Sequence, residues 1–130
     1  MTKIVLIVDD EEIIVQTILR RILLQKSDDL QPLIAIDGFE ALEFMRKKNV
    51  AAVILDLKMN NMDGVSVCRA AHADHALRSI PIIISSGHIA DDVREHLESL
   101  GVKFFLNKPY SMDQLMQILD SILDCTKESI

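Results

Sequence analysis

Apolar residues follow two rhythms along this chain. Short runs rich in β-branched side chains, Ile4-Val5-Leu6-Ile7-Val8, Pro32-Leu33-Ile34-Ala35-Ile36, Val50-Ala51-Ala52-Val53-Ile54-Leu55, Ile82-Ile83-Ile84 and residues 102–106, read as five strands. The first, near residues 3–8, is apolar throughout, as expected of a central strand covered by helices on both faces. Between the runs the apolar positions shift to helical spacing. Ile14, Ile18 and Ile22 recur every fourth residue, with Val15, Leu19 and Leu23 on adjoining positions, while Arg20 and Arg21 are left to face water. After the turn dipeptide Asp37-Gly38, a helix over 39–48 places Ala41, Leu42 and Met45 on its buried face. Further helices are expected over 65–75 and over 91–100, the second acidic at its start and stopped by Gly101. Ser111 caps a last helix with the stripe Leu115, Ile118, Leu119 and Ile122. Alternation of this kind predicts an α/β fold, a doubly wound five-stranded parallel sheet with five helices.

Chemistry gathers where the apolar runs stop. Asp9-Asp10 closes the first run, Asp56 the third, Ser86 the fourth and Lys108 the fifth. A parallel sheet brings such residues to one pocket at its carboxyl edge. Taken singly, Asp9 or Asp10 would be a helix cap, Ser86 a turn residue and Lys108 a solvated lysine. Asp56 has no evident capping task, because an irregular stretch, Asn60-Asn61-Met62-Asp63-Gly64, follows it. Three carboxylates in one pocket repel each other unless a cation lies between them, and magnesium prefers oxygen ligands of this kind. An aspartate carboxylate can also act as the nucleophile that accepts a phosphoryl group.

Composition narrows the field. The 130 residues suffice for one domain, and the low aromatic share of 4% leaves Ile, Leu, Val and Met to fill its core. A net charge of -6 sets the chain against direct nucleic-acid binding and against anionic membranes. Cys68 and Cys125 stand far apart and outside any ligand pattern, so both are expected as reduced thiols in a cytoplasmic protein. No apolar stretch approaches the roughly 20 residues that span a bilayer.

Val8-Asp9-Asp10-Glu11, Asp37-Gly38 followed by Glu40-Ala41-Leu42, Asp56-Leu57-Lys58-Met59 with Met62-Asp63-Gly64, Pro81 to Ser86, and Lys108-Pro109-Tyr110 appear in that order. Together they resemble the receiver domain of two-component response regulators across essentially the whole chain. The resemblance implies a flavodoxin-like sheet in the order 2-1-3-4-5, with residues 1–124 as the domain and 125–130 as a short tail, the start of a linker where an effector follows. It makes Asp56 the phosphoacceptor, with Asp9, Asp10, Asp56 and the Lys58 backbone carbonyl around Mg2+. Ser86 would bind the phosphoryl group, Lys108 would pair with its oxygens, and Ser86 with Phe105 would form a switch acting on the fourth helix, fifth strand and fifth helix. Lys58 and His88 would tune the lifetime of the phosphorylated state, and the Lys108-Pro109 bond is expected to be cis.

Implied partners are a sensor histidine kinase or histidine phosphotransfer protein, an effector domain or partner protein, and a second copy on phosphorylation. Such a domain is a signalling module that catalyses only its own phosphoryl transfer and dephosphorylation. The chain departs from the common pattern at Asn60, where proline is frequent, and at Phe105, where tyrosine is.

Two other classes fit less well. An aspartyl phosphatase needs a second acid two residues past the nucleophile, where this chain has Lys58, and a flavin mononucleotide carrier needs a phosphate-cradling loop where it has Asp9-Asp10-Glu11-Glu12. A receiver-like scaffold that is never phosphorylated is opposed by the acids, Ser86 and Lys108. His72 and His75 are read as solvent-facing, and Met45, Met112 and Met116 as packing residues.

Overall fold

A computed structural model of the chain describes residues 2–24 and 30–124. Strands and helices alternate without exception: β1 Lys3–Val8, α1 Glu12–Leu24, β2 Leu30–Ala35, α2 Gly38–Lys47, β3 Val50–Leu55, α3 Gly64–Ala73, β4 Ile82–Ser86, α4 Asp91–Ser99, β5 Phe104–Asn107 and α5 Met112–Asp124. The strands form one parallel sheet in the order β2-β1-β3-β4-β5. The fold class and strand order expected from the sequence are those observed. Cys125 and the expected tail, 125–130, lie outside the described residues.

β-Strand alternation divides the interior into two cores. Leu6, Val8, Val53, Leu55 and Ile84 point to the side of α2, α3 and α4, where they meet Leu42, Met45, Val67 and Leu97. Val5, Ile7, Ala52, Ile54 and Ile83 point to the other side and meet Ile18 and Ile22 of α1 and Leu115 and Leu119 of α5. Apolar residues on both faces of β1 and β3 are thus explained by a helix layer over each. Leu23, on the predicted stripe of α1, is instead 65% exposed. Cys68 is buried in the α3 side, and desolvation, then the field of Asp63, pushes its thiol up to about 12. It is a packing residue and unreactive at neutral pH.

Several boundaries differ from expectation for local reasons. β2 begins at Leu30, before Pro32, because a proline without an N–H is tolerated on an edge strand. β4 continues through Ser85 and Ser86, where a turn was expected, because Leu106 and Asn107 of β5 pair with them. β5 begins at Phe104, not 102, since the preceding residues finish α4. Gly101, at φ 90, donates its N–H to Glu98 and Val102 donates to Leu97, the paired bonds that close a helix with a left-handed glycine. α3 ends at Ala73, so His75 is not on it.

Register sets the functional edge. Val8 is opposite Leu55, so Asp9 and Asp56 leave adjacent strands at one level, and the Asp56 N–H continues the ladder by donating to Val8 at 2.9 Å. Ser86 is opposite Asn107, and the Lys108 N–H donates to the Ser86 carbonyl at 2.7 Å. The Lys108-Pro109 bond is cis.

Candidate functional site

Asp9 and Asp56 are buried to 6% and 4% exposure, unusual for carboxylates unless partnered. Their partner is Lys108, whose Nζ stands 2.9 Å from Asp9 Oδ2, 2.7 Å from Glu11 Oε1 and 3.5 Å from Asp56 Oδ2. The contact with Asp9 Oδ2 is an ion pair off the hydrogen-bonding line, which leaves that buried oxygen with lone pairs to offer. The other Asp9 oxygen, Oδ1, accepts the Glu11 N–H at 2.8 Å. This tight turn carries the Glu11 side chain back over the pocket. Asp56 Oδ1 accepts the Lys58 N–H at 3.3 Å.

Charges in this pocket govern one another. Burial, and then the field of Asp9, push the Asp56 carboxyl above its ordinary value, against the pull of Lys108 and the Lys58 N–H. Desolvation acts to lower the Lys108 ammonium, but its hydrogen bond to Glu11, its ion pair with Asp9 and the field of Asp56 more than offset it and hold the group above the usual lysine range. Lys108 is therefore a permanent cation among acids.

The sequence-predicted residues are not all gathered here. Asp10 is exposed and outside the carboxylate group, whose third member is Glu11. Carboxylate oxygens of Asp9, Glu11 and Asp56 all lie within 4.8 Å of one another. Hard oxygens at this spacing, with one buried oxygen unaligned to any donor, fit Mg2+. Ser86 is fully buried, and its Oγ has no hydrogen-bond partner among the described residues. A buried hydroxyl of this kind is an open donor. Phe105 is half-buried on the α4 side of β5, under the guanidinium of Arg94, 4.3 Å from its centroid. Lys58 and His88 are exposed, as are His72 and His75.

One pairing was missed by sequence reasoning. Ser85 Oγ and Tyr110 Oη are 2.7 Å apart, and burial raises the Tyr110 phenol although the bond to Ser85 opposes it. The only signal in the sequence is the position of both residues beside motif members. Behind the pocket, Asp63 caps α3 by accepting the Ser66 N–H at 2.8 Å, and Gly64 donates to the Leu57 carbonyl at 3.0 Å. A side chain at Gly64 would strike the Asp56 carbonyl and reach 2.8 Å from Leu57 Cα, so α3 can start this close to Asp56 only with glycine.

Comparison with known proteins agrees with this geometry. The sequence profile described as "Response regulator receiver domain" matches residues 5–120. An NtrX-like response regulator of Rickettsia bellii is 34% identical over 125 residues, spanning 95% of this chain and 25% of that protein. Response regulator MprA of Mycobacterium ulcerans is 30% identical over 125 residues, spanning 95% of this chain and 51% of that protein. The chain therefore spans a quarter to a half of the length of these relatives. The receiver domain of the Francisella response regulator 1452 matches with a TM-score of 0.84 at 25% identity, over 96% of this chain and 99% of that one.

Proposed function

This chain belongs to the response regulator receiver domain family of two-component systems, and on that premise we propose that Asp56 is its phosphoacceptor. The observation that carries this is a buried aspartate beside a second buried aspartate, both within ion-pair reach of Lys108 at the carboxyl edge of the sheet. An Asp56 oxygen attacks the phosphorus of a phosphohistidine on a sensor kinase or phosphotransfer protein. The P–N bond breaks, its electron pair returns to the imidazole, and an acyl phosphate remains on Asp56. When bound, Mg2+ supplies positive charge that offsets the transferred oxygens.

Asp9, Glu11 and Asp56 would hold that ion, with Asp10 and the Lys58 carbonyl as the remaining family positions. Lys108 lies where it pairs with a phosphoryl oxygen, and Ser86 has a hydroxyl to donate. Once Ser86 turns to the phosphoryl group, Phe105 rotates inward, and the surface of α4, β5 and α5 changes. Lys58 and His88, both at the surface, tune hydrolysis.

A protein donor would find a groove of about 540 Å³ along α1, lined by polar residues together with Met112 and with Ile13 and Leu24, 80% and 73% exposed. Among the described residues no helix is long and apolar enough to cross a membrane. A cytoplasmic signalling role, with an effector domain or partner and a second copy engaged on phosphorylation, is part of the same proposal.

Intact-protein mass after incubation with a small-molecule phosphodonor tests it. One added phosphoryl group is expected with Mg2+, and none with chelator or in Asp56→Asn. An adduct that survives Asp56→Asn would overturn the assignment of the acceptor.

A further inference from the structure

The proposed switch requires Phe105 to leave its resting place, so whatever holds the ring there sets the threshold of the response. Phe105 is opposite Ile84 on β4 and packs against the α4-side core. Above the ring stands one cation, the Arg94 guanidinium, 4.3 Å from the centroid. Arg94 is exposed on α4 with Asp91 three residues before it and Glu98 four residues after, both at spacings that meet on a helix surface. Among the described residues it forms an ion pair with neither. It lies over the ring instead, where a flat guanidinium stacks well.

α4 is also lightly attached. Its one buried residue is Leu97, whereas α2 and α3 bury four each, and its N-cap, Ala90, makes no side-chain cap bond. The start of α4 is held by Ile89 and Val93, half-buried against the core, and by the stack of Arg94 on Phe105. Resting on the switch reading above, we infer that Arg94 is the latch of that switch: stacked on Phe105, it holds the ring outward and the start of α4 over it. Loss of the latch biases the domain toward its switched state before any phosphoryl group arrives. An exposed cation–π contact corresponds to about a 2- to 5-fold change in such an equilibrium.

The test places 4-fluorophenylalanine at position 105 and follows its fluorine resonance while Mg2+ and beryllofluoride, a phosphoryl mimic, are titrated into the full chain and its Arg94→Ala and Arg94→Lys variants. In Arg94→Ala the free resonance is expected part-way toward the bound position, with beryllofluoride bound about 2- to 5-fold tighter. Arg94→Lys should fall between, because an ammonium keeps the charge but loses the flat stack. A general loosening of the fold would weaken binding, the opposite sign. A resonance that moves with beryllofluoride equally, and at equal affinity, in all three proteins overturns the latch and leaves the switch standing. One that moves in none of them overturns both.

Discussion

Asp56 carries its charge at a cost to the fold, because burial and Asp9 both favour its neutral form. Since its folded-state value lies above that of the unfolded chain, the associated stability is complete below the ordinary aspartate range and is lost as pH rises through the folded value. Asp56→Asn should therefore melt a few degrees higher than the parent at pH 7 without divalent cation, the gap narrowing as pH falls through the raised folded value and closed below about 3.8. Thermal melts of both proteins across that range decide it; an equal or lower melting temperature at pH 7 would mean that Lys108 fully compensates the carboxylate. Asp56 and Lys108 were legible as site residues because each is the polar end of an apolar run. Glu11 was not, because no periodicity governs a two-residue turn; what swings it over the pocket is the bond its own N–H makes to Asp9.

The β3–α3 loop lacks the proline that is frequent at Asn60, and other contacts fix it. Asn61 takes a left-handed conformation, φ 66, and donates from Nδ2 to Asp37 Oδ2 at 3.1 Å. Asp37 meanwhile caps α2 through the Glu40 N–H at 2.9 Å, and Glu40 accepts the Ile36 N–H at 3.0 Å. Two loops on neighbouring βα units are thus tied through one aspartate. The approach is so close that a Cβ at Gly38 would lie 2.7 Å from Val67 Cγ2 and 2.8 Å from Met62 Cβ. Gly38→Ala, ordinarily favourable in a helix, is expected to cost roughly 1–3 kcal/mol here through overpacking. Urea unfolding would measure it, and an unchanged midpoint would show that Met62 yields freely. Helix existence was legible from apolar spacing; the Asp-Gly dipeptide signalled a turn, but not that Asp37 caps α2. The extension of β4 through two serines was not, because local sequence gives Ser85-Ser86-Gly87 the look of a turn and only pairing with β5 overrides it.

Five short apolar runs alternating with helical stretches made the layered fold readable, since the first, apolar throughout, had to be covered on both faces. The division of the core follows from the same alternation. On β5, Phe105 packs with the α4 side, while Phe104 and Leu106 on either side of it pack with the α1 and α5 side. Under the proposed switch, rotation of Phe105 would repack the α4-side core directly, while α1, on the opposite face of the sheet, would be reached only through α5. Hydrogen exchange with beryllofluoride and Mg2+ should therefore change at the amides of α4 and stay constant at those of α1; altered α1 protection would show that the cores are coupled. On that reading the sheet would stand between a donor docked on α1 and the change at α4. A donor docked on α1 would meet the same contour before and after delivery, so telling a loaded chain from an empty one would fall to the strand-end pocket alone.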